Sequence, residues 1–295
     1  MSNPAFNSNP AFTNNPNRAQ SWSQQQGQQF GQQFGGQQQQ YGQASPSAQQ
    51  LNDIYDRPAA TPQETGRMSI DGTIVKTAMT LGVVAIGFVV TMATFFAGLE
   101  LPFYALTYGG ALVGFVLALV NIFKREPSRG LILAYALAQG FFLGGISTMF
   151  EFLLEMPGII MQALIATACV FGATLALYAF RIVRTSPRLT KIFFIALIGY
   201  ALFSLVNVIM MWTGATQHEF GMRTMEVFGI PLGLILGVLA VLLGAYSLVM
   251  DFEMTENGVK RGAPAKYEWS AAFGITVTII WLYIEILRII AILRR

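Results

Sequence analysis

The sequence predicts an all-α polytopic membrane protein, and three observations support that fold class. Of its 295 residues, 54% are hydrophobic and 11% are charged, whereas soluble proteins carry about 25% charged residues. Long apolar runs recur after residue 70. These runs are continuous, as in membrane helices, and do not alternate with polar residues as barrel strands do. The net charge of +3 is too small to argue for a nucleic-acid partner.

The runs number seven, and each approaches the roughly 20 apolar residues that a membrane-spanning helix needs. They lie at residues 74–97, 103–123, 130–150, 158–180, 191–212, 228–250 and 271–293. Prolines fall between several of the runs, where a helix break costs little. The connections are short, so we expect neighbouring helices to be antiparallel. Residues 71–295 are therefore predicted to form one seven-helix transmembrane domain.

Residues 1–70 have a different composition, rich in Asn, Gln, Gly, Ser and Pro, with the stretch "GQQFGQQFGGQQQQYGQ". Such a segment buries too little apolar surface to offset its ordering entropy, so we predict a disordered tail. Its spaced aromatic residues suit weak self-association. A polar leader without a specific partner is the simpler interpretation, and the composition favours it.

Basic residues predict the orientation of the helices. Lys and Arg cluster after the second and fourth runs, whereas acids follow the first, third and fifth runs, so the N-terminus is predicted to be cytoplasmic. Seven crossings then place the C-terminus outside, although it ends in Arg294 and Arg295. A re-entrant last segment would return it inside. The other loops favour seven crossings.

Three G-x-x-x-G pairs indicate close helix packing, because small residues at this spacing let two backbones approach. They are Gly110 with Gly114, Gly140 with Gly144, and Gly233 with Gly237. Packing within one bundle is favoured over a dedicated dimer motif. The sequence leaves the oligomeric state open.

Two acids stand in or beside the apolar runs, Asp251 in "LVMDFEM" and Glu285 in "WLYIEILR". A charge near the bilayer centre costs about 2.5–3.5 kcal/mol on insertion scales. Such residues are functional by default and face a partner or a water-filled cavity. Structural interpretations exist for both. Asp251 could mark the solvated end of the sixth helix, and Glu285 could pair with Arg288 one turn along its own helix.

The functional interpretation joins the two acids. If a cavity brings Asp251 and Glu285 close, they share a proton and titrate as a pair. When ionised they repel each other or attract a cation. Calcium takes 6–8 oxygen ligands, so carbonyl groups and water would complete a site built on two carboxylates. Both acids are thus candidate proton-sensing and metal-binding residues, with Ca²⁺ as the bound or transported ion and no other cofactor.

Enzymatic chemistry has little support in the sequence. Cys169 is the only cysteine and is predicted to be a small core residue. His218 is the only histidine, is predicted to be a solvated loop residue, and no H-E-x-x-H motif occurs. Two acids on late helices would suit an intramembrane aspartyl protease. The G-x-G-D motif of those enzymes is absent and one acid is Glu, so we predict that the chain is not an enzyme.

At these acids the chain resembles the Bax inhibitor-1 family, which includes YccA-type bacterial membrane proteins. The resemblance rests on "MDFEM", "GAPAKYEW" and "WLYIEILR" and extends over residues 70–295. It implies seven helices with the last at the centre, a pH-sensitive calcium leak gated by paired acids, and a bacterial plasma membrane. Carried onto this sequence, the paired acids are Asp251 and Glu285. Bacterial members are also linked to a membrane-bound protease. Regulation of such a protease without transport, with the tail presented as an unfolded end, is therefore the alternative function.

The chain departs from that family in three ways. Glu285 replaces the usual Asp, and 34 residues separate it from Asp251. The family's basic partner for the acid pair has no secure match. Lys124, at the end of the second run, and Arg288 are the candidates. If the sixth helix ends at Val249 and the last begins at Ala271, Glu285 lies about 21 Å deep and the two acids cannot touch.

Overall fold

The computed structural model describes residues 66–124, 126–214, 221–227 and 229–294. The first 65 residues of the predicted disordered tail lie outside the described residues, as does His218.

The described residues form seven helices that are long and apolar enough to cross a membrane, which confirms the predicted fold class. The helices are α1 Ile70–Phe96, α2 Glu100–Phe123, α3 Arg129–Thr148, α4 Ile159–Ala179, α5 Pro187–Trp212, α6 Leu232–Lys260 and α7 Glu268–Leu293. A π-helical turn, Met149–Leu153, extends α3. A 3₁₀ turn, Gly221–Thr224, and a two-stranded hairpin, Glu226–Val227 with Ile230–Pro231, precede α6. A second 3₁₀ turn, Ala265–Tyr267, precedes α7.

Side chains cap the helices where the sequence supplies polar residues. The Ser69 hydroxyl accepts a hydrogen bond from Gly72 N at 2.9 Å and starts α1. Ser186 does the same for α5, with Pro187 in the first turn. The Glu151 carboxylate reaches across from the π-helical turn and accepts from the backbone N–H groups of Gly158 and Ile160, both at 3.1 Å. These contacts satisfy amides that a helix start leaves without partners.

The last helix lies at the centre of the bundle, as predicted. Within the most apolar stretch of α7, 61% of the residues are buried, whereas 17% are buried in the corresponding stretches of α2 and α5. Its neighbours are α6, α1, α4 and α3. The helix therefore packs against these four, and its buried polar side chains face neighbouring helices.

Ion pairs and hydrogen bonds between loops identify the two faces of the bundle. Lys266, before α7, pairs with Glu126, after α2, at 2.8 Å. Arg67, before α1, bridges to Pro264, so these segments share what we call the N-terminal face. Arg294, after α7, donates to the Pro157 carbonyl at 2.9 Å, which places the chain end on the opposite face. This arrangement agrees with seven full crossings.

The predicted bounds of the last two helices were too short. Helix α6 continues to Lys260, ten residues beyond the predicted end at 250, and α7 starts at Glu268, before the predicted start at 271. Asp251 therefore lies within a helix and not at its solvated end. Much of the 34-residue separation from Glu285 is taken up by these additional turns.

The start of the bundle also lies earlier than predicted. Residues 66–69 were assigned to the tail, yet Met68 is buried and its N–H donates to the Ala263 carbonyl at 2.7 Å. The N–H of Ala265 donates to the Gly66 carbonyl at 2.8 Å. The segment is thus held by the α6–α7 loop.

The three glycine pairs all lie at helix contacts within the chain. A Cβ on Gly110 would lie 2.6 Å from the Ala138 carbonyl oxygen of α3, and one on Gly237 would meet Ile289 of α7. Gly140 is in equally close contact with the α1 backbone at Val84. The described contacts therefore agree with packing inside one bundle.

Neighbouring glycines of α2 should respond in opposite directions to alanine substitution. Gly110→Ala forces α2 and α3 apart and is expected to destabilise the bundle by about 1–3 kcal/mol. Gly109 has no atom within 4 Å of its would-be Cβ, so Gly109→Ala should stabilise α2 by about 0.5–1 kcal/mol. Unfolding by SDS from mixed micelles measures both effects. Shifts of the same sign would contradict the packing described here.

Candidate functional site

Asp251 lies between α6 and α7 among neutral oxygen atoms. Its Oδ2 is 2.8 Å from the Thr278 hydroxyl, which is itself 3.3 Å from the Ser247 hydroxyl and 3.2 Å from the Gly274 carbonyl. A Cβ on Gly274 would lie 3.0 Å from Asp251 Oδ1, so the glycine leaves space for the carboxylate. Among the described residues, no Lys or Arg lies within ion-pair distance of Asp251.

The hydroxyl groups around Asp251 suit both of its protonation states. A hydroxyl has one proton to donate and two lone pairs to accept with. When Asp251 is ionised, Thr278 donates to it and accepts from Ser247. When Asp251 is neutral, it donates to Thr278, which turns its proton to the Gly274 carbonyl. The change needs only rotation of hydroxyl protons, so the site can gain or lose a proton without repacking.

Glu285 has the opposite environment, with two arginines and a tyrosine around a carboxylate that is only 3% exposed. Its Oε1 accepts from Arg288 Nη1 at 2.6 Å and from the Tyr200 hydroxyl of α5. Its Oε2 lies 3.8 Å from Arg223 Nη1. Neither of those two atoms has a hydrogen-bond partner within the described ranges. The Glu285–Arg223 contact is therefore an ion pair without a direct hydrogen bond.

Arg223 reaches this site from the 3₁₀ turn between α5 and α6. Its guanidinium donates to the Ser204 hydroxyl at 2.8 Å and to Tyr200 at 3.1 Å, and it stacks over the Phe203 ring. In this conformation the turn is held against α5 by the N–H of Met222, which donates to Asn207 Oδ1 at 2.7 Å. Gly221 enters it with φ +59, a conformation that glycine adopts without strain. The loop thus folds into the bundle and buries a cation.

The two acids do not meet. Asp251 is bonded to Thr278, and Glu285 is seven residues further along the same helix. Seven residues correspond to about 10 Å of helix axis. The structure therefore does not form the paired-acid site that the functional interpretation required. Among the described residues there is also no cluster of three or more His, Cys, Asp or Glu side chains that could hold a metal ion.

The two candidate ion-pair partners have different positions. Arg288 contacts Glu285 and is partly exposed, at 26% of its side chain. Lys124 is an exposed residue at the end of α2 on the N-terminal face. No ion pair of Lys124 occurs within the described part of the chain. The cation that the sequence did not identify is Arg223.

Arg223 was not predicted, because in the sequence it is one charge of the loop between α5 and α6. Its neighbours Glu219 and Glu226 made that loop look acidic and solvated. One signal was available. The stretch "FGMRTMEVFGIP" is apolar around its arginine and has a glycine on each side, which suits a loop folded against the bundle.

Comparison with known proteins identifies the family. Residues 3–295 match the family model described as Bax inhibitor 1 like. Comparison with curated protein sequences finds no match. The match covers nearly the whole chain, including all seven of the described membrane-spanning helices. The chain therefore belongs to the Bax inhibitor-1-like family and is a multi-pass membrane protein.

Proposed function

We propose that the chain is not an enzyme but a pH-sensitive cation leak, with Ca²⁺ as the ion that the family resemblance implies. The observation that carries the proposal is Asp251, a carboxylate within the membrane-spanning bundle whose described partners are all uncharged. Around it, Thr278, Ser247 and Gly274 supply further oxygen atoms within about one hydrogen-bond length of one another. Water would supply the remaining ligands of a calcium ion.

The pH dependence follows from competition at Asp251. A buried carboxylate is costly unless it is neutralised by a proton or paired with a cation. A proton and a permeating cation therefore exclude each other. Lower pH protonates Asp251 and removes the charge that attracts a cation, so the leak is expected to close as the pH falls. The nearest other acid on α7 is Glu285, about 10 Å away along the axis, where it is already paired.

Glu285 has a different role in this proposal. Arg223 and Arg288 place two positive charges on one carboxylate near the opposite face, and such a net positive site repels cations. In this proposal the described conformation is the closed state of the leak. Conduction requires the Arg223 turn to move away from Glu285. Arg223 Nη1 and Glu285 Oε2 form no direct hydrogen bond. Arg223 can therefore leave Glu285 without breaking a hydrogen bond to it.

Calcium flux into proteoliposomes at pH 6 and pH 8 tests the proposal. Wild type is expected to conduct several-fold faster at pH 8. Asp251→Asn removes the titrating group and should give the same low flux at both pH values. Glu126→Gln is the matched control, because Glu126 is an acid on the surface of the N-terminal face, paired with Lys266. It should keep the wild-type pH dependence. Equal pH dependence in wild type and Asp251→Asn would contradict the role of Asp251.

The alternative is regulation of a membrane-bound protease without transport. It rests on the family resemblance and on the tail, most of which lies outside the described residues, so no contact of the bundle favours it. An absence of flux in wild type at both pH values would reject the leak and leave this function as the leading proposal.

We also propose a bacterial plasma membrane with the N-terminus in the cytoplasm. The bacterial membrane rests on the resemblance to the bacterial branch of the family. The basic residues of the N-terminal face support the orientation, since positively charged loops stay in the cytoplasm. Those in the described residues between α2 and α3 and between α4 and α5 are Lys124, Arg181 and Arg184.

A further inference from the structure

Two apolar cavities lie next to each other between α1 and α4, with volumes of about 570 and 480 Å³. Leu81 and Phe171 line both cavities, so together they form one groove, which we call the lateral groove. Helix α7 forms its floor with Ile275, Ile279 and Ile280. Through this groove a ligand can reach the central helix α7 from the side of the bundle, without entering between the loops.

The threonine hydroxyls that line the groove form hydrogen bonds within their own helices. The hydroxyls of Thr73 and Thr77 donate to the carbonyls of Ser69 and Thr73, four residues earlier in α1, both at 2.9 Å. Thr255 and Thr167 do the same in their own helices, at 2.8 and 2.7 Å. None of these threonines therefore has a hydroxyl proton left to donate to a ligand. The groove therefore suits a hydrocarbon ligand and not an ion or another polar solute.

The length of the groove matches the membrane. On α1 its lining runs from Ile70 to Val89, or about 28 Å at 1.5 Å per residue, close to the roughly 30 Å of the hydrocarbon core. The cavity nearer the N-terminal face extends from Ile70 to Leu81, which is about 16 Å. That is close to half the hydrocarbon core, the depth that the acyl chains of one leaflet occupy.

At the mouth of this inner cavity, basic side chains outnumber the acids Glu253 and Glu256 that contact residues 180–191. Glu256 lines it and is bound by two cations, Lys260 at 2.5 Å and Arg184 at 3.3 Å. The side chains of Lys260 and Arg184 are 63% and 37% exposed, so N–H donors of both remain accessible to a ligand. The adjoining residues 180–191 contain four basic side chains and no acidic one. Basic pockets between membrane helices bind anionic lipid headgroups.

We propose that the inner half of the lateral groove binds one acyl chain of an anionic phospholipid from the leaflet at the N-terminal face. The headgroup phosphate lies at Arg184 and Lys260, and the chain extends along α1 towards Leu81. The proposal is independent of ion conduction and holds whether or not the chain is a leak. The bound lipid would cover the side of α7 that α1 and α4 leave open.

Native mass spectrometry of the full chain released from detergent micelles tests the proposal, with added phosphatidylglycerol or phosphatidylcholine of identical acyl chains. Wild type is expected to retain one phosphatidylglycerol and several-fold less phosphatidylcholine. Ala78→Phe fills the inner cavity, which Ala78 lines, and should lower retention several-fold. Ala78→Leu, a smaller change, should lower it less. Ala105→Phe is the matched control on the exposed surface of α2 and should behave as wild type.

Charge variants test the headgroup position separately. Arg184→Gln combined with Lys260→Gln should abolish the preference for phosphatidylglycerol. Equal retention by wild type and Ala78→Phe would overturn the groove as the binding site, and equal retention of both lipids by wild type would overturn the anionic headgroup. A lipid-free wild-type dimer that Ala78→Phe dissociates would show that a helix of a second copy occupies the groove instead.

Discussion

Glu285→Gln is expected to destabilise the bundle by about 3–5 kcal/mol, because removing one partner of a buried ion pair leaves the other charge uncompensated. Arg223 bears that cost, since its side chain is only 5% exposed. Arg288 can turn towards the membrane interface, because 26% of its side chain is already exposed. The loss should appear as a lower SDS concentration at the unfolding midpoint.

A double-mutant cycle separates the ion pair from the general effect of each substitution. Arg223→Gln leaves Glu285 bonded to Arg288 and Tyr200, so its cost should be smaller than that of Glu285→Gln. The double variant removes both charges and should be more stable than the sum of the single changes predicts, with a coupling of about 1–3 kcal/mol. Glu126→Gln, in an exposed pair, should leave the midpoint unchanged. Additive single changes would show that the 3.8 Å contact contributes nothing.

The fold could be predicted from the sequence because its determinants are local. Each apolar run must form its backbone hydrogen bonds within itself in a membrane, so length and hydropathy suffice to locate a helix. Helix ends were less predictable. The turns after Met250 are helical but contain three acids, Asp251, Glu253 and Glu256. Their low hydropathy hides the continuation of α6.

The site could be predicted only in part, because its geometry depends on packing between distant segments. Asp251 and Glu285 were identifiable as acids in an apolar region, and Arg288 was visible as a neighbour one turn away. Their spacing did not show that Asp251 of α6 lies beside Thr278, about two turns of α7 before Glu285. Arg223 contacts Glu285 because the loop that carries it folds inward. The two residues are 62 positions apart in the sequence (285 − 223), so the periodicity of a helix cannot predict this contact.

The second large effect is expected at the start of α7, where Glu268 is buried against α1. Its Oε2 pairs with Lys76 Nζ at 2.5 Å, and its Oε1 accepts from both the N–H and the hydroxyl of Ser69, at 2.8 and 3.1 Å. A side chain at Gly72 would overlap this carboxylate. Lys76 also donates to the Ala265 carbonyl at 3.1 Å. One carboxylate thus joins the first turns of α1, the central helix and the loop before it.

Glu268→Gln should therefore cost about 3–5 kcal/mol, since Lys76 is left as an uncompensated charge in a largely buried position. Asp71→Asn is the matched control, because Asp71 is an acid in the first turn of α1, the segment that Glu268 contacts, but is exposed. Hydrogen–deuterium exchange distinguishes local from global loss. If Glu268 anchors the start of α1, exchange in residues 66–76 should increase most in Glu268→Gln and remain unchanged in Asp71→Asn. A uniform increase along all helices would show that Glu268 supports the whole bundle, and no increase would show that Lys76 finds another partner.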